Sequence, residues 1–150
     1  IADTDTVKRH ALGTIVSAID SSLGGGEFIY LQGIGSTVVG SIVNYDDNFV
    51  TALDTSATAG PSRPLAVAMS ANVASQYGWY QISGNAVATK ADTVSFADGA
   101  GLGAGSGLAV AVATGTVIQG AIVRTVASAK TGVTTVAIAI NRPHDPSDVS

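Results

Sequence analysis

The chain has no cysteine among its 150 residues and few charged side chains, only 12% of the total. Without cysteine it can form neither a disulfide framework nor a thiolate metal site, so its stability must come from packing. The charged fraction is about half of the roughly 25% that is typical of soluble domains. No apolar run reaches the roughly 18 residues of a membrane span, because Gly, Ser or Thr interrupts each one. We therefore expect no membrane partner.

Positive charge is especially scarce. Seven Lys and Arg residues are scattered along the chain against eleven Asp and Glu, which gives a formal net charge of −4. Neutralising phosphates takes clustered basic side chains, so we expect no nucleic-acid partner. The exterior must instead consist largely of Ser, Thr, Asn, Gly and Ala, which tolerate water and also pack well against protein. A surface of this kind suits burial against other protein subunits.

Short apolar runs separated by turn residues recur along the chain from Gly13 onward. Two of them, residues 37–43 and 49–53, flank a turn at residues 44–48 and predict a hairpin. Runs at this spacing are typical of sandwiches and barrels. We predict an all-β fold, a compact β-sandwich or β-barrel-like domain. Residues 121–130 are ambiguous, because their spacing fits a helix as well as the favoured strand.

Several runs alternate Ala with a β-branched residue, which sends the two kinds of side chain to opposite faces of a strand. The runs are AVA at 66–68, AVA at 86–88, AVAVA at 109–113 and VAIAI at 136–140. We expect Val and Ile to fill the core and Ala to line the other face. Such a face would allow a second layer, from this chain or from a neighbour, to approach closely.

The two ends of the chain differ from the body. Residues 1–12 carry Asp3, Asp5, Lys8, Arg9 and His10, and they show neither the period of a strand nor that of a helix. We interpret them as an extended N-terminal arm, with a frayed terminus as the alternative. Extended, such a segment reaches roughly 35 Å at about 3.3 Å per residue. Residues 13–143 form the predicted β-rich body, and residues 144–150 form a loose tail.

No catalytic constellation can be assembled from the sequence. His10 and His144 both lie in segments that we expect to be mobile, which is a poor location for a general base. The carboxylates at Asp46, Asp47 and Asp54 lack the spacing of a calcium loop and are interpreted as a solvated turn. We predict that the chain is not an enzyme and holds no cofactor and no metal.

Two weaker patterns are also present in the sequence. Residues 99–104 satisfy a dinucleotide-type glycine spacing, but the fingerprint requires a helix immediately after it, and a further Ala-Val run follows instead. We predict that residues 99–107 form a flexible surface loop. A site made from His144, Asp145 and Asp148 would be at best a weak, adventitious set of metal ligands.

The large aromatic side chains are concentrated at Tyr77, Trp79 and Tyr80. On a strand, Tyr77 and Trp79 share one face and Tyr80 lies on the other, and we favour the core for Trp79. Whichever face points outward is a candidate contact surface, since Tyr and Trp commonly anchor interfaces. The candidate interface residues, for a capsid or a subunit contact, are Thr4, Asp5, Thr6, Val7, Lys8, Arg9, His10, Arg63, Tyr77, Trp79 and Tyr80.

Five segments give the chain its strongest resemblance to known proteins. They are GTIV at 13–16, EFIYLQG at 27–33, PLAVAM at 64–69, YGWYQISGNAVA at 77–88 and VAIAINRP at 136–143. In these segments the chain resembles the head decoration, or cement, proteins of tailed bacteriophages. The resemblance covers most of the chain in outline and rests on an overall style of sequence, since none of the segments is a chemical motif.

The resemblance implies a compact β-rich domain of the β-tulip type on the outer surface of the virion capsid. It further implies homotrimers at local threefold positions and a terminal arm that grips the major capsid protein, so that neighbouring capsomers are cemented together. The family has no catalytic residues to carry over. The alternative is a carbohydrate-binding head-fibre or tail-associated module that uses Tyr77, Trp79 or Tyr80 as a sugar platform.

Overall fold

The computed structural model describes residues 1–55, 62–112, 117–127 and 130–145. Within these ranges the protein is all-β, with eleven strands and no helix, as the sequence predicts. The strands are β1 (Thr4–Asp5), β2 (Ile15–Asp20), β3 (Gly24–Gln32), β4 (Ile42–Tyr45), β5 (Thr51–Leu53), β6 (Leu65–Ala68), β7 (Tyr77–Thr89), β8 (Gly103–Gly105), β9 (Leu108–Val110), β10 (Gln119–Val123) and β11 (Thr135–His144).

The 13-residue strand β7 organises the nine-stranded main sheet. Strand β3 pairs antiparallel with residues 77–84 of β7, and β1, β6 and the end of β11 pair with residues of this same stretch. A strand has only two edges, so β3 occupies one of them while β1, β6 and β11 follow each other along the other. The sheet then branches through β6, β4 and β5 and through β11 and β10.

This branching produces two hydrophobic cores in a compact, sandwich-like body. Along β6, Leu65 and Val67 face the larger core, which also contains β11, while Ala66 and Ala68 face the smaller core, which also contains β3. All four residues of β6 are buried. A strand that is covered on both faces needs apolar residues at every position, and β6 has the sequence LAVA.

Strand β7 bends where it passes from one core to the other. Gly84 has a φ of +99°, and a Cβ atom built on it would lie 2.5 Å from the carbonyl oxygen of Gly25. The pairing of β3 with β7 also shifts register between Glu27 and Phe28. The bend therefore depends on a residue without a side chain.

The hairpin predicted around residues 44–48 is confirmed, because β4 and β5 pair antiparallel across that turn. Asp46 holds the turn by accepting hydrogen bonds from the backbone N–H groups of Asn48 and Val50, each at 3.0 Å. In the ambiguous stretch 121–130 the favoured strand is present as far as Val123, where β10 ends. Residues 128 and 129 of that stretch lie outside the described ranges.

The prediction that residues 99–107 form a flexible surface loop is wrong. Strand β8 pairs with β9 to form a second, two-stranded sheet, and Leu102 and Ala104 are buried in the larger core. Backbone hydrogen bonds from Ile118 to Leu102 and from Val123 to Ala100 fix the segment further. Its glycines and alanines, which suggested mobility, let the backbone pack closely against the core.

The prediction for the alternating runs holds on β11 and fails on β7 and β9. Val136, Ile138 and Ile140 of β11 are buried, as expected. On β7, however, Ala86 and Ala88 are buried while Val87 is exposed, and Ala109 of β9 is buried as well. Their pairing explains the inversion, because Ala86 lies opposite Ile138 and Ala88 opposite Val136, so that each cross-strand pair fills the core with one large and one small side chain.

The tail predicted from residue 144 begins later than expected. His144 is the last residue of β11, and Asp145 is buried, with its backbone N–H donating to the carbonyl oxygen of Arg63 at 3.0 Å. Residues 146–150 of the predicted tail lie outside the described ranges.

Candidate interface at the N-terminal segment

The N-terminal segment, residues 1–12, lies against the body. Strand β1 pairs antiparallel with the start of β7, with Thr4 opposite Gly78 and Asp5 opposite Tyr77. The hydroxyl of Ser70 donates to the carbonyl oxygen of Asp3 at 3.4 Å. The extended N-terminal arm is therefore not confirmed, because the segment folds back onto the sheet of its own chain.

A small polar cluster around the hydroxyl of Tyr30 fixes the segment. That hydroxyl donates to Asp5 Oδ2 at 2.9 Å and accepts a longer hydrogen bond, 3.4 Å, from the backbone N–H of Arg9. Asp5 Oδ1 also forms an ion pair with Arg9 Nε at 2.6 Å. Burial, and secondarily the Asp5 carboxylate, raise the pKa of Tyr30, so the phenol remains a donor at neutral pH.

Four rings pack together beneath this cluster, and we call them the aromatic cluster: His10, Tyr30, Tyr77 and Trp79. The ring centroids of His10 lie 5.0 Å from Tyr30 and 5.2 Å from Trp79, and Tyr30 lies 5.1 Å from Trp79. Tyr77 stacks on Tyr30 at 6.4 Å. These separations are within the range of favourable aromatic pairs. The N-terminal segment thus contributes one ring to a cluster whose other three come from β3 and β7.

The aromatic residues of β7 lie on the two faces of the strand as the sequence predicts, but the smaller core covers the face of Tyr80 and not that of Trp79. Tyr77 and Trp79 share one face and are only partly buried, whereas Tyr80 points the opposite way and is 0% exposed in the smaller core. The preference for Trp79 as the core residue is therefore wrong. Tyr80 likewise cannot contribute to a contact surface in this conformation, because the second core covers it completely.

The remaining candidate residues are only partly brought together. Thr4, Thr6, Val7 and Lys8 are exposed along the N-terminal segment, with Val7 at 71%. Arg63 is exposed as well, but it lies apart from the N-terminal segment. Its backbone carbonyl oxygen accepts a hydrogen bond from the N–H of Asp145, directly after β11. Sequence reasoning missed Tyr30, which organises the site. The only signal for it was its position inside the run EFIYLQG, where it reads as an ordinary strand residue.

The contacts that hold the N-terminal segment are few, and most of them are partly buried. An exposed ion pair contributes about 0.2–1 kcal/mol, and the pair of Arg9 with Asp5 is exposed on its Arg9 side, at 72%, but not on its Asp5 side, at 15%. A typical hydrogen bond contributes about 0.5–1.5 kcal/mol net. β1 adds a pairing of just two residues. Because β1 is short and the contacts are few, we expect the segment to detach at a lower free-energy cost than unfolding of the body.

The described residues offer little other chemistry. Among them no three His, Cys, Asp or Glu side chains are grouped as metal ligands, and no helix suited to crossing a membrane is found. His10 lies in the aromatic cluster and His144 is exposed at the end of β11. The expectation that the chain is not an enzyme stays a prediction.

Comparison of the chain with protein-family models, with curated proteins and with solved structures finds no match.

Proposed function

We propose that the protein is a structural virion protein that binds the outer surface of a phage capsid and cements neighbouring capsomers. The observation that carries the proposal is the N-terminal segment, which lies on the aromatic cluster through few contacts and a strand of only two residues. If the segment detaches, it can reach a neighbouring subunit and at the same time uncover Tyr77 and Trp79. Both surfaces then become available for protein contacts.

The rest of the exterior supports a role in protein binding. Large aliphatic side chains are exposed at several places, including Ile15 and Ile19 on β2, Val87 on β7 and Ile122 on β10. Ile19 is 86% exposed. Few charges surround them, since only 12% of the chain is charged. Covering such a surface with the major capsid protein or with other copies removes apolar area from water at a small desolvation cost.

The carbohydrate-binding alternative has less support in the geometry. Tyr80 is buried, so the three aromatic residues of β7 do not form one platform. Tyr77 and Trp79 share a face, but Tyr77 stacks on Tyr30 and His10 packs against Trp79. A sugar would have to displace the N-terminal segment before it could stack on Trp79.

The test is co-sedimentation with expanded, undecorated capsids of the phage that encodes the chain, using the full chain and a variant that lacks residues 1–9. We expect the full chain to pellet with the capsids and the truncated chain to bind at least tenfold more weakly. Unchanged circular dichroism would show that the truncated body still folds. Light scattering of the free protein and of the mixture reports whether the predicted homotrimer forms before or on binding.

Two results would contradict the proposal. Capsid occupancy that is unaffected by the truncation would remove the role of the N-terminal segment. Binding of the full chain to a glycan array without any association with capsids would favour the carbohydrate-binding module instead.

A further inference from the structure

Strand β2 forms an open edge of the main sheet. It pairs with β3 in an unbroken register from Ile15 to Asp20, and no other strand of the described ranges pairs with it. Natural proteins usually protect such an edge with a charged side chain, a proline or a bulge, because an open edge can pair with another chain. Residues 15–19, with the sequence IVSAI, contain none of these features. The edge is therefore able to accept a further strand.

The hydrogen-bonding pattern of β2 directs three residues toward this open edge. The backbone N–H of Tyr30 on β3 donates to the carbonyl oxygen of Thr14 at 2.9 Å. In an antiparallel ladder every second residue bonds to the neighbouring strand, so the even-numbered residues of β2 continue the bonds to β3. The backbone N–H and C=O groups of Ile15, Ser17 and Ile19 therefore point away from β3.

The same three residues carry the exposed side chains of β2. Residues two positions apart lie on one face of a strand. Ile15 is 45% exposed and Ile19 is 86% exposed, with the exposed Ser17 between them. Ile15 lies beside Ile29 of β3, which is buried in the smaller core. The apolar face that covers this core thus continues to the open edge at Ile15.

The turn that follows β2 holds the edge in place. Asp20 Oδ1 accepts hydrogen bonds from the backbone N–H groups of Ser22 and Leu23, at 2.7 and 2.8 Å. The carbonyl oxygen of Leu23 accepts a further bond from the side-chain amide of Asn85 on β7, at 3.2 Å. The edge is therefore already ordered, so little conformational freedom is lost when a second strand pairs with it.

We propose that β2 pairs with β2 of a second copy of this chain, antiparallel and around a twofold axis at Ser17. The Ser17 residues of the two copies then lie opposite each other, and Ile15 of each copy lies opposite Ile19 of the other. Each of the three opposing pairs can exchange two backbone hydrogen bonds, as in an ordinary antiparallel ladder. An axis at Val16 or Ala18 would lose one of these pairs and place serine opposite isoleucine. The strand is thus complementary to itself, as a twofold contact requires.

The charges near this edge permit two identical strands to pair. Residues 15–19 are uncharged, and Asp20 would lie opposite Thr14 of the other copy. Glu27 lies beside β2 on β3, and its carboxylate forms an ion pair with Arg142 at 3.1 Å. The two copies of Glu27 would be three strand spacings of about 4.8 Å apart, farther than the Debye length of about 8 Å at physiological ionic strength. The pairing of β2 therefore brings no like charges directly opposite each other.

The first test is sedimentation of the free, full chain at increasing concentration, which needs no capsid and is independent of the cementing role. A single strand pair falls in the weak class of interfaces below about 1,200 Å², so we expect a dissociation constant of about 10⁻⁴ M. Ser17→Pro should weaken the association about tenfold or more, because it removes an outward-pointing N–H and leaves the bonds to β3 in place. Ser17→Thr keeps that N–H and is the matched control.

Cysteine substitution tests the register, since the chain has no cysteine of its own. With Ser17→Cys the two thiols would meet at the twofold axis, where Cα atoms about 5.5 Å apart allow a disulfide, so oxidation should give a crosslinked dimer. Ile15→Cys and Ile19→Cys should each crosslink poorly alone, because four residues of about 3.4 Å each separate the like positions. An equimolar mixture of these two variants should crosslink.

A chain that stays monomeric at about 1 mM, or that assembles only into trimers, would overturn the twofold contact. Crosslinking of the three single cysteine variants at equal rates would do the same, since it would show random collision. Should circular dichroism show that Ser17→Pro fails to fold, the cysteine variants decide the question, because their three positions are exposed. Failure of the chain to bind capsids would contradict the cementing role and leave these results unaffected.

Discussion

The centre of β7 and the N-terminal segment lie on the same sheet and differ in how they are held. At the centre, β7 pairs with β3 on one edge and with β6 on the other, and its side chains reach two cores. The N-terminal segment is held by one short strand, one ion pair, a few hydrogen bonds and one histidine ring that packs on Tyr30 and Trp79. We therefore expect substitutions at the centre of β7 to destabilise the protein far more than substitutions at its contact with the N-terminal segment.

The largest effect is expected from Tyr80→Ala compared with Tyr77→Ala. Tyr80 is fully buried, and removing a large aromatic side chain from a core costs about 3–5 kcal/mol. Tyr77 lies three residues away on the partly exposed face, so its replacement should cost less than half as much. Urea unfolding measures both. Equal losses for the two variants would remove the distinction between the faces of β7.

A smaller effect is expected from Gly84→Ala, with Gly25→Ala as its control. Alanine at position 84 would need a φ of +99° and would place its Cβ 2.5 Å from the Gly25 carbonyl oxygen, so we expect a loss of about 1–3 kcal/mol. A Cβ on Gly25 would meet no atom within 4 Å. Gly25→Ala should therefore be nearly neutral. If Gly84→Ala is equally neutral in the same unfolding experiment, the bend of β7 does not depend on glycine.

The smallest effect on the body is expected from Tyr30→Phe. The substitution removes the hydroxyl that bonds Asp5 and the Arg9 backbone and keeps the ring in the aromatic cluster. The loss should be about 0.5–1.5 kcal/mol and confined to the N-terminal segment. Hydrogen exchange should accelerate at the amides of β1 and remain unchanged at those of β6. Faster exchange in both strands would show that the segment and the centre unfold together.

The sequence predicts the fold class and the β4–β5 hairpin because these depend on local pattern and turn residues. A period of two separates the faces of a strand without specifying which face is inside. The inversion at Ala86 and Val87 arises from the pairing of β7 with β11, which residues far along the chain determine. The burial of residues 102–104 is missed for a related reason, since glycine and alanine are as common in mobile loops as in tightly packed segments.

The candidate site could be predicted only in part. The N-terminal segment and the pair Tyr77 and Trp79 stand out in the sequence because charge and large rings are rare elsewhere. Their association through Tyr30 depends on contacts between residues 25 positions apart, as for the hydrogen bond from Tyr30 to Asp5. Such contacts follow from the strand order, which composition and periodicity do not determine.

The order of strands along β7 also has a consequence for synthesis of the chain. Its partners β1, β3 and β6 precede it, whereas β11, which covers residues 83–89, is translated only after β8, β9 and β10. Until β11 emerges from the ribosome, that half of β7 has an open edge and the larger core lacks three of its branched side chains. Such an edge is prone to pair with another nascent chain. Chaperone binding during translation should therefore be strongest after β7 has emerged and should cease once β11 has emerged.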